Sequence, residues 1–159
     1  MNIGEFLKRD QVLVGLHADD KAKLLLKVAE CAAPVTGIGQ RAILTALTER
    51  ERLGSTGLGS GVAIPHACVD GLKAPFGLFI RLDRSIDFAA VDDKPVDLIF
   101  ALLTSVNTIR GPLSELACIS RTLRDEALAR EIRAAHSAGE VYSLLTRTSA
   151  EPHAFASRG

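Results

Sequence analysis

Tryptophan is absent from this 159-residue chain and aromatic residues supply only 4% of it, so its 47% hydrophobic content has to come from aliphatic side chains. The length suffices for one domain with a core of Leu, Ile, Val and Ala. Neither charge is in excess, with Lys+Arg and Asp+Glu at 19 each. That balance argues against nucleic-acid binding, which needs a basic footprint, and leaves room for docking to a charged protein. Cysteine is scarce and odd in number; Cys31, Cys68 and Cys118 lie far apart, which excludes a disulfide framework and fits a reducing compartment. No uninterrupted apolar run approaches the ~20 residues of a membrane span. Met1 to Asp10 lacks the apolar stretch of a signal peptide, so a soluble cytoplasmic protein without membrane insertion is expected.

What is present alternates between two periodicities. Asp19-Asp20 offers an N-cap for a helix to about Cys31, with Ala22, Leu25, Leu26, Ala29 and Ala32 at helical spacing. Pro34 and Gly37 mark a break. A second helix is expected from Gln40 to Arg52, with Ala42, Ile43, Ala46 and Leu47 facing the core and Gly54 as its stop. The pattern then turns to strands: Gly61 to Ile64, ended by Pro65, and Phe76 to Leu82. Val96 to Leu103 is apolar apart from Asp97, as suits a central strand covered on both faces. Gly111-Pro112 opens a helix whose buried stripe would be Leu113, Leu116, Ala117 and Leu123, and further helices follow around Glu126 to Ala135 and Gly139 to Leu145. Helices on either side of a strand-rich middle point to a three-layer α/β domain. Residues 147–159 form a polar tail, carrying Pro152, that is expected to be disordered.

The densest chemistry lies between Arg50 and His66, where Leu53-Gly54-Ser55-Thr56-Gly57 leads through further glycines to Ala63-Ile64-Pro65-His66. Glycines let backbone N–H groups approach an anion, hydroxyls add donors, and a neutral imidazole can take a phosphoryl group covalently. Other motifs do not fit. A dinucleotide fingerprint needs glycine where Val62 stands, and a nucleophile elbow at Ser60 needs glycines at Leu58 and Val62. Taken alone, Arg50 and Glu51 read as the solvated end of a helix, and Ser55 and Thr56 as either phosphoryl donors or loop stabilisers. Asp97 needs a backbone or basic partner in its apolar strand. His17, His136 and His153 read as solvated side chains. No histidine pair has metal-ligand spacing and Cys68 is a lone candidate ligand, so neither metal nor cofactor is expected.

These residues resemble the IIA domain of the fructose/mannitol class of the bacterial phosphotransferase system, most of all its nitrogen-related regulatory branch. Ile86-Asp87-Phe88, Pro95-Val96-Asp97-Leu98, Leu116-Ala117 and Arg121 to Asp125 extend the likeness, which places the IIA-type domain at residues 1–146. The resemblance implies a mixed β-sheet with helices on both faces. It further implies a histidine phosphotransferase in which His66 accepts a phosphoryl group through Nε2 from an HPr-like carrier. Arg50 would stabilise the charge, and Ser55, Thr56 and Gly57 would bind the phosphoryl group. Phosphorylation would then signal to regulated targets such as potassium-transport components or sensor kinases. One position departs from the family: where a second histidine commonly opens the helix after the central strand, this chain has Pro112. Arg110 is the candidate substitute cation. Two alternatives stay open, a binding-only regulator with impaired transfer and a sugar-specific component that donates to a IIB domain.

Overall fold

The computed structural model describes residues 1–107 and 112–150, with residues 148–150 as backbone alone. The first strand, β1 (Val12–Leu16), was not apparent in the sequence. It is short, and Gly15, with φ +82°, breaks both its alternation and its register. Helix α1 (Lys21–Thr36) starts where Asp20 accepts the Lys23 N–H at 2.8 Å. It runs through Pro34 rather than breaking there and stops at Gly37, which adopts the left-handed conformation at φ +76°. Proline is tolerated because it stands in the last turn, on the exposed side, and costs one helical bond. The buried stripe is Leu24, Leu25, Val28, Ala29 and Ala32; Ala22 is exposed and Leu26 half-buried, contrary to expectation.

Helix α2 (Gln40–Leu53) buries Ile43, Leu47 and, unexpectedly, Glu51, while Ala42 is exposed. Strands β2 (Gly57–Gly59), β3 (Val62–Ala63) and β4 (His66–Val69) follow. The strand does break at Ile64-Pro65, as expected, but a new one starts directly at His66. Register along the partner strand continues across the break, Ala63 facing Ile99 and His66 facing Leu102, and the Pro65 carbonyl still accepts the Leu102 N–H at 3.0 Å. Two long strands, β5 (Phe76–Ile86) and β6 (Val96–Ser105), outrun the expected ends. Helices α3 (Leu113–Leu123), α4 (Glu126–Ala134) and α5 (Ala138–Ala150) complete the chain. Helix α5 thus extends into the stretch assigned to the tail, and residues 151–159 lie outside the described residues.

The sheet order is β1-β5-β6-β3-β2, with β4 also on β6. Pairing is parallel for β1·β5, β3·β6 and β4·β6, and antiparallel for β5·β6 and β2·β3. Alternation along β6 divides the core in two. Ile99, Ala101 and Leu103 face α1 and α2, meeting Leu24, Val28, Ile43 and Leu47. Leu98, Phe100 and Leu102 face the C-terminal helices, meeting Ile119, Leu128, Ile132, Val141 and Leu145. The architecture is therefore the expected three-layer α/β fold with a mixed sheet. On α3 the expected stripe is displaced. Leu113 is 70% exposed and Ala117 is exposed, while Cys118, Ile119, Thr122 and Leu123 are buried.

Candidate functional site

Proline at the join of β3 and β4 sets up the local geometry. The Ile64 N–H bonds the Thr56 carbonyl at 3.0 Å, which draws the glycine-rich loop onto the strand. The Ile64 carbonyl is left facing His66, whose Nδ1 lies 2.9 Å away. A carbonyl only accepts, so Nδ1 carries the proton and Nε2 keeps its lone pair. Arg50 reaches that second nitrogen from the last turn of α2, its Nε donating to Nε2 at 3.3 Å. Its Nη1 donates to the Gly54 carbonyl at 3.0 Å, which holds the guanidinium at the helix end. Burial pushes the His66 pKa below its ordinary value, and the nearby Arg50 charge adds to this, against opposing effects of the Ile64 carbonyl and Glu51. The imidazole is consequently neutral near pH 7, the form in which Nε2 is a nucleophile.

The loop hydroxyls are committed within the protein. Ser55 Oγ donates to the Phe88 carbonyl at 2.7 Å and accepts the Gly57 N–H at 3.1 Å. Thr56 Oγ1 donates to Glu51 Oε1 at 2.7 Å, and its N–H donates to Oε2 at 2.9 Å. Glu51, read from the sequence as solvated, is only 9% exposed. Its carboxylate also meets Lys21 Nζ at 2.9 Å, and that ammonium sits 4.6 Å from the centre of the Phe88 ring. Gly57 is required by packing. A Cβ there would lie 2.7 Å from the Cβ of Ala90 and 2.9 Å from its Cα.

Together these elements frame a 400 Å³ cleft lined by His66, Arg50, Ser55, Thr56 and Gly57, with Val91 at its edge. Leu116, Ser120 and Arg124, from α3 and the residue that follows it, also line the cleft. A larger hollow of 480 Å³ adjoins it and shares Leu58 and Arg124, but it does not include His66. Chemistry rather than size marks the smaller one as the site. Arg110 lies outside the described residues. Pro112 is the residue before α3, its carbonyl taken by the Leu116 N–H at 2.9 Å.

Glu51, Ser120 and Arg124 were missed as site residues in the sequence. A usable signal existed for the last two. Pro112, Leu116, Ser120 and Arg124 recur at the spacing of one helical face, so if the first faces the site, the rest follow it. Elsewhere, Asp97 finds its basic partner in Arg133, at 2.8 Å from Nη2 and 2.9 Å from Nε. His17 is exposed but not unpartnered, lying between Asp19 at 2.9 Å and Asp83 at 3.3 Å. His136 is exposed, and His153 lies outside the described residues. Among the described residues no cluster of His, Cys, Asp and Glu could hold a metal ion, and no helix is long and apolar enough to cross a membrane.

The model of one protein family, the phosphoenolpyruvate-dependent sugar phosphotransferase system EIIA 2, matches residues 5–148. A nitrogen regulatory protein of Bradyrhizobium diazoefficiens is 42% identical over 145 residues, which are 91% of this chain and 95% of that one. A nitrogen regulatory protein of Escherichia coli is 34% identical over 154 residues, 96% and 94% of the two chains. Among solved structures, the nitrogen regulatory protein IIA-Ntr of Neisseria meningitidis superposes with a TM-score of 0.86 at 33% identity, covering 91% of this chain and 99% of that one.

Proposed function

Since the chain belongs to the EIIA 2 family of the phosphoenolpyruvate-dependent sugar phosphotransferase system, it takes part in phosphoryl transfer between proteins, and we propose that His66 is the residue that carries the group. The observation that carries this reading is the hydrogen bond from Nδ1 to the Ile64 carbonyl, which leaves the Nε2 lone pair directed at the cleft beside Arg50.

In the proposed step the Nε2 lone pair attacks phosphorus on a phosphorylated HPr-like carrier. The new N–P bond forms as the bond between phosphorus and the carrier's imidazole nitrogen breaks, and that nitrogen recovers its electron pair. No proton has to move, because Nδ1 keeps its own on the Ile64 carbonyl. The long Arg50 contact, 3.3 Å, yields as phosphorus takes the lone pair, and the guanidinium then donates to an equatorial phosphoryl oxygen. Alignment and charge stabilisation are most of what such a transfer needs. The Gly54 to Gly57 turn, held by Glu51 through Thr56, keeps the cleft wall in place as the carrier docks. Since nitrogen regulatory proteins share 42% and 34% identity with the chain, its phosphorylation state is read as a signal to regulated target proteins.

The test is intact mass after incubation with phosphoenolpyruvate, enzyme I and an HPr-type carrier, at neutral to alkaline pH. One added phosphoryl group on the parent and none on His66→Ala is the expected result. Pro112 favours a second reading, a regulator that binds without transferring, since proline offers no side-chain donor to a phosphoryl group. An unmodified parent beside a phosphorylated control IIA protein would support it.

A further inference from the structure

The His66 cleft holds more positive charge than Arg50 alone supplies. A phosphoryl group carries roughly −1.5 to −2 charge near pH 7. Arg50 has already committed Nη1 to the Gly54 carbonyl, so one partly engaged guanidinium would face a near-dianion in a half-buried cleft. Pro112 contributes nothing to that balance. Among the described residues lining the cleft only one other cation occurs, Arg124, with the hydroxyl of Ser120 one helical turn before it. The Arg124 side chain makes no ion pair or hydrogen bond among the described residues, unlike Arg133 nearby, which is bound to Asp97. It is exposed and stands at the C-cap of α3, where only its backbone is tied, through N–H bonds to the Ser120 and Thr122 carbonyls. A long cationic side chain with a fixed base and a free head can close on an anion at little structural cost.

We propose that Arg124 is the second phosphoryl-binding residue of this site, closing over the group on Nε2 from the α3 side while Arg50 holds it from the α2 side. The inference rests on the His66 reading above. Two guanidiniums lining one cleft would share the equatorial oxygens, and the helix that lacks a histidine at its start would supply its cation from its end. Ser120, also in the lining, would add a hydroxyl donor.

The experiment measures the rate of phosphorylation of the parent, Arg124→Gln and Arg124→Lys with two donors. One donor is the phosphorylated HPr-type carrier. The other is phosphoramidate, with no partner protein present; its P–N bond breaks as the Nε2–P bond forms, and its nitrogen leaves as ammonia. If Arg124 contacts the phosphoryl group, Arg124→Gln slows the reaction with both donors on the order of tenfold, and lysine restores part of the rate. Urea midpoints stay unchanged, because the side chain is exposed and unbound. A glutamine variant as fast as the parent with phosphoramidate overturns the proposal, and slowing with the carrier alone reassigns Arg124 to docking and overturns it equally. A parent that accepts phosphate from neither donor removes the His66 reading itself, and this inference with it.

Discussion

His66 and His17 are displaced in opposite directions from the ordinary histidine pKa, and the causes are different in kind. Burial and the Arg50 charge favour the neutral form of His66. Hydrogen bonds to Asp19 and then Asp83 favour the charged form of exposed His17. The consequences for stability are opposite in sign. On acidification the unfolded chain protonates residue 66 first, so stability present above ~6.5 is lost as pH falls toward the folded value. For His17 the contribution is present below ~6.5 and is lost as pH rises through the raised folded value. Titration of the imidazole C–H signals by NMR, assigned with His66→Gln and His17→Asn, should place the His66 midpoint below that of His17. The reverse order would contradict both electrostatic environments. A neutral His66 also means that phosphoryl acceptance should persist on mild acidification, until the pH approaches its depressed pKa.

At the scale of elements, the Glu51 carboxylate is a junction. It joins α2 to the start of α1 through Lys21 and to the following loop through Thr56. Replacing it with alanine leaves Lys21, the Thr56 N–H and the Thr56 hydroxyl without their acceptor in a buried place. We expect Glu51→Ala to cost about 3 kcal/mol in urea or guanidinium unfolding, the usual range for removing one member of a buried ion pair. Phosphoryl acceptance should fall as well, because the loop beside His66 loses its tether. A loss under about 0.5 kcal/mol, with acceptance intact, would show that the loop holds itself. Sequence reading failed at Glu51 for a physical reason: a charged residue in the last turn of a helix is solvated by default, and only the returning loop buries it. The same holds for α3, where Ile119 and Leu123 mark the buried face but Leu113 and Leu116 are equally apolar. Periodicity alone does not choose between two overlapping stripes.

At the scale of the molecule, one sheet divides two cores, and β6 contributes alternate residues to each. Leu47 in the first core and Leu145 in the second are both essentially inaccessible to solvent. Because β6 is shared, each Leu→Ala change should cost about 3 kcal/mol and lower the whole transition rather than half of it. Far-UV circular dichroism and the fluorescence of Tyr142, the chain's single tyrosine, should follow one curve in both variants. Separate transitions would mean that the two layers unfold independently. Local chemistry in the sequence determined a good deal by itself. The cap at Asp20, the stop at Gly37, the apolar run from Val96 and the Gly-rich approach to His66 each act over a few residues, so short-range physics suffices to read them. Tertiary structure alone decided what depends on distant partners: the pairing of β1 with β5, the shared register of β3 and β4 along β6 on either side of Pro65, the burial of Glu51 and the presence of Arg124 in the same cleft as Arg50. Each of those is fixed by a contact between residues far apart in the chain, and no local preference encodes which partner will come.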